Sequence, residues 1–350
     1  MKLIVEKTEK LSGKTTLPSS KSHTIRGIIF ASLAGGTSKL NNALESEDTK
    51  AAINGCSALG AKIEKKSEGT FEITGFNGNP IIKQDKELTI NTMNSGTTTN
   101  LLTSVVALSD KRIIIDGDDS IKKRPVQPLL TALNNLGAEA LSINNTGCPP
   151  LEIKGRIKGG KTTLNCKSSQ YLSSLLISCP LLEKNTEVEL YNVCEVPYID
   201  MTLKWLDELN IKYENKNYKT IIIYANQKYS SFEKTIPADW SSATFLLVAG
   251  VMLGDKVIII GLDLNDIQAD KEVLGYLKKM GADIQINENR ILINKSKLTG
   301  CEIDLNNTPD ALPAIAVLGC YAKGTTIIKN VSHARIKETD RIEVMTKELT

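Results

Sequence analysis

The sequence predicts a two-domain α/β protein assembled from one strand–helix–strand–helix unit that recurs about every seventy residues. Three observations lead there. At 350 residues the chain exceeds what one hydrophobic core usually supports, so two domains are expected. Its composition, 41% hydrophobic and 24% charged, is ordinary for a globular protein and excludes the disordered and fibrous classes. Five segments then share one pattern: a short strand, a small polar loop, an apolar helix, a Gly- or Asp-marked turn and an apolar strand. If Ser22, Thr97, Ser168, Ser241 and Asp310 mark the starts of the apolar helices, the copies lie 75, 71, 73 and 69 residues apart.

In order, the copies read TTLPSSKSHTIRGIIFASLAGGTSKL, LTINTMNSGTTTNLLTSVVALSDKRIII, TTLNCKSSQYLSSLLISCPLLEKNTEVEL, KTIPADWSSATFLLVAGVMLGDKVIII and EIDLNNTPDALPAIAVLGCYAKGTTII. Each apolar helix is hydrophobic nearly all round and should be buried. A second helix follows in each copy with a single apolar stripe, and should face solvent. DTKAAINGCSALGAKI, VQPLLTALNNLGAEA, YIDMTLKWLDELNIKY and DKEVLGYLKKMGADI are the examples. Gly60, Gly137 and Gly281 end three of them, and Asn210 the fourth, as left-handed C-caps. Such a unit cannot hide its apolar faces alone, so three are expected to pack into each domain around their buried helices. The chain stops at Thr350, inside the second helix of the fifth copy and before any C-cap Gly or closing strand, so the sequence reads as C-terminally truncated.

Bulk properties narrow the function. A formal net charge of +3 argues against general nucleic-acid binding. The start, MKLIVEKTEK, alternates like a strand and carries charges where a signal peptide needs an apolar run. No stretch approaches the ~20 apolar residues of a membrane span. Seven scattered cysteines, odd in number and never spaced as CxxC, read as reduced thiols of a cytoplasmic protein, each a small core residue. Two histidines, His23 and His333, exclude a His-rich metal centre.

Chemistry is expected at the loops entering the buried helices, because a helix N-terminus offers unpaired N–H groups and a partial positive charge to an anion. Three copies load these starts with polar groups: Ser19-Ser20-Lys21-Ser22 with Arg26 one turn on, Asn94-Ser95-Gly96-Thr97, and Lys167-Ser168-Ser169-Gln170. N-capping is the plain alternative for each, but three equivalent starts point to shared anion binding. Two basic clusters occupy matching places in their copies, Lys122-Lys123-Arg124-Pro125 and Arg335 with Lys337 and Arg341. Arg suits bidentate carboxylate or phosphate recognition. Asp310 stands at a helix start whose counterparts are uncharged or cationic, and Glu338 lies between Lys337 and Arg341. Either carboxylate is a candidate for acid–base work, a cap or a surface ion pair.

These residues, in this order, resemble the 3-phosphoshikimate 1-carboxyvinyltransferase (EPSP synthase) family over essentially the whole chain. The matching pieces are Ser20 to Arg26, NSGTT from Asn94, KKRPVQPL from Lys122, KSSQYLSSLL from Lys167, PYIDMTL from Pro197, PDALPAIAVL from Pro309 and HARIKETDRI from His333. The resemblance implies the two-domain, inverse α/β-barrel-like enolpyruvyl transferase fold, with three repeats per domain and the sixth repeat missing here. Residues 18–235 would form the shikimate 3-phosphate side, and residues 1–17 with 236–350 the second, incomplete domain. It implies transfer of the enolpyruvyl group of phosphoenolpyruvate to the 5-hydroxyl of shikimate 3-phosphate, by a cytoplasmic monomer without metal or organic cofactor. Lys21, Ser22, Arg26, Ser168, Ser169, Gln170, Asp310 and Lys337 would hold shikimate 3-phosphate. Lys21, Gly96, Arg124, Gln170 and Arg341 would hold phosphoenolpyruvate, Gly96 leaving room for its backbone contact. Asp310 would take the proton of the 5-hydroxyl, with Lys21 and Glu338 handling the proton on the enol methylene.

The chain departs from the family at three points. Asn100 stands where many members carry Arg, Glu195 stands where Ser often meets the substrate phosphate, and the Arg and Lys of the sixth repeat are missing. Residues 1–350 alone are therefore expected to bind shikimate 3-phosphate weakly and to turn over nothing measurable. One alternative is the sister UDP-N-acetylglucosamine enolpyruvyl transferase, against which Asp119 stands in place of a reactive Cys. The other is a non-catalytic anion-binding fragment.

Overall fold

The computed structural model describes residue 4 and residues 6–82, 87–288 and 290–350. Their order along the chain is β1 (Leu11–Thr16), α1 (Lys21–Leu33), β2 (Thr37–Asn41), α2 (Glu47–Ala58), β3 (Lys62–Ser67), β4 (Thr70–Thr74), β5 (Leu88–Asn91), α3 (Gly96–Val106), β6 (Ile113–Asp116), α4 (Gln127–Asn135), β7 (Glu139–Ser142), β8 (Leu151–Lys154), β9 (Gly160–Asn165) and α5 (Ser169–Ser178). There follow β10 (Thr186–Tyr191), α6 (Val196–Glu208), β11 (Tyr213–Lys216), β12 (Thr220–Ile223), β13 (Glu233–Thr235), α7 (Trp240–Leu253), β14 (Gly254–Ile260), α8 (Val273–Lys279), β15 (Ile284–Asn287), β16 (Arg290–Ile293), β17 (Glu302–Asp304), α9 (Leu312–Tyr321), β18 (Ile327–Lys329) and α10 (Arg341–Leu349).

The chain divides into two compact units. The larger holds Ser19–Ile236 together with Ile336–Thr339. The smaller holds Pro18 and the described residues before it, Pro237–Arg335 and Asp340–Thr350.

Three four-stranded sheets build the larger unit, in the orders β13-β2-β4-β3, β5-β6-β8-β7 and β11-β12-β10-β9. Each repeats one plan. A leading strand runs parallel to the next, as Gly160–Asn165 does to Thr186–Tyr191, and a hairpin then adds two antiparallel strands. A parallel pair needs a long crossover, which the apolar helix supplies. The smaller unit repeats the plan in β1-β14-β16-β15 and adds the pair β17-β18. Two leading strands are exchanged between the units. β1 precedes α1 but pairs with β14, and β13 precedes α7 but pairs with β2.

Burial follows the pattern read from the sequence in the larger unit. Every residue of α1 from His23 to Leu33 is buried, as is nearly all of α3 and α5. α3 and α5 approach through small hydroxyl residues: Ser104 donates to the Ser174 carbonyl and Ser174 to that of Asn100, so the buried oxygens are satisfied within the contact. Phe30 stacks on Trp205 at 5.5 Å, and the indole N–H of Trp205 donates to His23 at 3.0 Å, which gives that histidine a packing role. The C-caps form as expected, with positive φ at Gly60, Gly137, Asn210 and Gly281.

Three expectations are corrected. In the smaller unit α7 and α9 pack on each other but leave Phe245, Val317 and Tyr321 exposed, because two helices cannot cover one another all round. Among the described residues of MKLIVEKTEK, Ile4 and Glu6 to Lys10 form no strand; the first strand starts at Leu11. Cys320 is exposed, and Cys148, Cys194 and Cys301 are only half-buried. Cys56, Cys166 and Cys179 are core residues, their thiols pushed up to about 12, chiefly by desolvation. No helix among the described residues is long and apolar enough to cross a membrane.

Candidate active site

The three polar-loaded helix starts all lie in the larger unit and differ in how much they spend on capping. Ser95 caps α3 by accepting the Thr98 N–H, and Ser168 caps α5 by accepting that of Gln170. Ser20, at the start of α1, makes no capping bond; its hydroxyl is buried without a partner. Beside it Lys21 is exposed, with its ammonium 3.9 Å from Asp48, and Ser22 is half-buried. Capping therefore accounts for Ser95 and Ser168, not for Lys21 and Ser22.

Arg26 is sunk into the unit. Its guanidinium donates to the Thr202 hydroxyl at 2.9 Å, the Ser22 carbonyl at 3.2 Å, the Ser173 hydroxyl at 3.4 Å and the Tyr198 carbonyl at 3.1 Å. All four acceptors are neutral. Burial brings its pKa down to about 10, so it remains charged at neutral pH. This fork ties α1, α5 and α6 together behind the site.

At the start of α3, the space above Gly96 is filled. A Cβ there would lie 2.0 Å from an Arg124 guanidinium nitrogen and 3.1 Å from its central carbon. Gly96 thus makes room for Arg124. Arg124 also faces Glu338 at 3.7 Å. Asn100, one turn into α3, donates to the Gly96 carbonyl at 3.0 Å and to Gln170 at 2.7 Å, and Gln170 donates to Thr97 at 3.1 Å. The Asn100 amide oxygen is buried without a partner. This bridge joins the starts of α3 and α5.

The start of α5 carries a carboxylate where the family pattern has Ser. Glu195, at the N-cap of α6, makes no capping bond to its own helix. Its carboxylate instead accepts the Ser169 N–H at 3.2 Å and the Ser169 hydroxyl at 2.9 Å, and pairs with Lys337. Arg26 and Glu195 are thus the buried charges of the region, one spread over neutral acceptors and the other paired. Nothing in local spacing signals the second arrangement, since its members come from three distant segments.

In the smaller unit Asp310 lies in a 3-10 turn, Pro309–Ala311, that leads into α9. Arg341 donates to its carboxylate at 2.6 Å and to the Pro309 carbonyl at 3.3 Å. Asp340 caps α10 by accepting the Ile342 and Glu343 N–H groups, and accepts from Arg335 as well. Of the cations flanking Glu338 in sequence, Lys337 reaches Glu195 and Arg341 reaches Asp310; Arg124 is the cation placed beside Glu338. Lys122 lies 3.8 Å from Asp116. Among the described residues no group of three or more His, Cys, Asp or Glu is arranged to hold a metal ion.

Repeated βα units with buried helices, hydroxyl- and cation-loaded helix starts and paired arginines define an α/β protein directed at anionic small molecules. The comparisons with known proteins make this specific. The profile of EPSP synthase (3-phosphoshikimate 1-carboxyvinyltransferase) matches residues 5–350, and the chain belongs to that family. It is 48% identical over 347 residues to the 3-phosphoshikimate 1-carboxyvinyltransferase of Acetivibrio thermocellus, covering 99% of this chain and 81% of that protein. With that of Ruminiclostridium cellulolyticum it shares 45% over 350 residues, covering 100% and 82%. The structure of EPSP synthase from Acinetobacter baumannii superposes with a TM-score of 0.80 at 26% identity, covering 98% of this chain and 79% of that one. The enolpyruvyl transferase NikO from Streptomyces tendae shares the fold, with a TM-score of 0.71 at 16% identity over 92% of this chain and 75% of that one.

Proposed function

We propose that this protein transfers the enolpyruvyl group of phosphoenolpyruvate to the 5-hydroxyl of shikimate 3-phosphate, releasing phosphate. The observation that carries the reading is the formed anion seat at the start of α5. The Ser169 N–H, the Ser169 hydroxyl and the Lys337 ammonium meet on one carboxylate, the kind of donor set that a phosphate or carboxylate ligand requires. Ser168, Ser169, Gln170 and Lys337 bind the phosphate and ring hydroxyls, with Lys21 and Ser22 beside the buried Arg26. Arg124, seated over Gly96, serves phosphoenolpyruvate, as does Arg341. We read the protein as a cytoplasmic monomer whose partners are small molecules rather than nucleic acid, in keeping with a net charge of +3.

The chemistry is an addition followed by an elimination. The 5-hydroxyl oxygen bonds to C2 of phosphoenolpyruvate while its proton passes to Asp310, and C3 gains a proton from the Lys21 and Glu338 side. Loss of phosphate from C2 and of one proton from C3 restores the double bond as an enol ether. Fixed cations neutralise the developing charge, the term that usually dominates such catalysis. Asp310 shares Arg341 in the structure, so the substrate carboxylate that takes Arg341 also releases Asp310 for its proton.

The test is phosphate release by the full-length protein from phosphoenolpyruvate and shikimate 3-phosphate. Asp310→Asn and Glu338→Gln are expected to lower turnover about a hundredfold, the usual scale for general acid–base groups, with smaller changes in KM. Loss of affinity with turnover intact would make both residues binding groups. Transfer to UDP-N-acetylglucosamine in place of shikimate 3-phosphate would overturn the choice of acceptor.

A further inference from the structure

Glu195 occupies donors that the proposed function assigns to the substrate. Its side chain is 3% exposed and that of Lys337 is 19% exposed, so this anion is enclosed with its partners. Three donors converge on it: the backbone N–H and hydroxyl of Ser169, and the ammonium of Lys337. Two further observations bear on why it is there. The Glu195 backbone is left-handed, φ 56 and ψ 41, a conformation that L side chains adopt at a cost unless the surroundings hold them. The residue also forgoes the capping of α6 to reach across to α5. What accompanies both costs is the seating of a carboxylate at the start of α5.

A phosphate dianion and this carboxylate cannot share the same donors. At the separations of a shared hydrogen-bond site, two anions in a partly dry pocket repel strongly. Lys167 and Lys337 are the cations whose charge reaches the neighbouring Cys194 thiol. Lys337 is already committed to Glu195. Resting on the proposed function, we infer that Glu195 is an internal counter-anion that holds the phosphate seat and that shikimate 3-phosphate displaces it. The displaced side chain leaves Ser169 and Lys337 and turns outward about the 192–196 segment between β10 and α6. Glu195 thereby sets how tightly this protein takes a phosphorylated acceptor, and keeps the half-buried Lys337 compensated while the seat is empty.

If Glu195 were simply the anchor that positions Lys337 and Ser169, removing it would weaken phosphate binding. If it is a competitor, removing its charge strengthens binding. Calorimetric titration of shikimate 3-phosphate, and separately of inorganic phosphate, into the unaltered protein, Glu195→Gln and Glu195→Ser decides between them. Both variants are expected to bind both ligands at least about tenfold more tightly, the scale of one charge-assisted contact regained. Binding unchanged or weaker in a variant whose thermal transition is intact overturns the inference. Hydrogen exchange of segment 192–199 in the unaltered protein supplies an arm independent of variant folding. Faster exchange at saturating shikimate 3-phosphate supports displacement; slower exchange overturns it. Failure of the unaltered protein and both variants to bind shikimate 3-phosphate, with inorganic phosphate still bound, overturns the proposed acceptor rather than the role of Glu195 toward phosphate.

Discussion

Glu195 and Asp310 are carboxylates paired with a cation, one in each unit, and their settings make them different objects. Glu195 is 3% exposed, and its two oxygens are engaged by Ser169 and by Lys337. Asp310 is 40% exposed and its partner Arg341 only 16%, so water reaches the carboxylate while the guanidinium is held by the fold. A buried pair is a structural commitment, because removing one partner leaves an uncompensated charge in a medium that solvates it poorly. A half-exposed pair is exchangeable, since water or a ligand replaces either member at small cost. Two residues that look alike in the sequence are thus held differently: Glu195 is enclosed with its donors, whereas Asp310 stays open to water beside a guanidinium that the fold holds.

The comparison is broken most directly by deleting the two cations. Lys337→Met strands Glu195 and is expected to destabilise the larger unit by about 3–5 kcal/mol, whereas Arg341→Met should cost the smaller unit about 1 kcal/mol or less. Urea unfolding can read the units separately, because Trp205 lies in the larger and Trp240 in the smaller, and each can be followed with the other changed to Phe. Equal losses would show that burial does not distinguish the pairs.

A smaller effect is expected where a cation is positioned by shape rather than by charge. Gly96→Ala pushes its Cβ into the Arg124 guanidinium, the mobile end of a long side chain, so stability should change little. The displaced guanidinium should lower kcat/KM for phosphoenolpyruvate by about tenfold to a hundredfold, the range for a misplacement of about 1 Å. Unaltered kinetics would remove Arg124 from the ligand-binding set.

The smallest effect is expected at a third carboxylate, one that serves as a helix cap. Asp340 is held below its ordinary carboxylate value of 3.8, chiefly by the Glu343 N–H, with help from Arg335 and the Ile342 N–H. Because the folded value is the lower one, the stabilisation of the α10 N-terminus is fully present above 3.8 and is lost as the pH falls through the folded value. The Glu343 amide resonance should therefore titrate with an inflection below 3.8, and the inflection should vanish in Asp340→Asn. An inflection above that value would reverse the sign assigned to this cap.

The sequence by itself determined the features that depend on periodicity and on local backbone chemistry. A spacing near seventy residues, apolar helices with polar starts, and Gly or Asn after each striped helix are all local, and the structure has them at Lys21–Leu33, Gly96–Val106, Ser169–Ser178, Gly60, Gly137, Gly281 and Asn210. The motifs around Lys21, Ser169 and Glu338 were equally legible as polar and charged residues at helix starts and loops. Only the tertiary structure decided which of these groups meet. It set Arg124 over Gly96, sank Arg26 among neutral acceptors, gave the cation beside Glu338 from a segment more than two hundred residues away, and exchanged β1 and β13 between the units. It also made Glu195, a departure from the family pattern, the partner of Ser169 and Lys337. The physical reason is the same throughout. Helix and turn preferences act over a few residues and are written in their spacing, whereas the partner of a buried charge is whatever the packing of distant loops brings within about 3 Å.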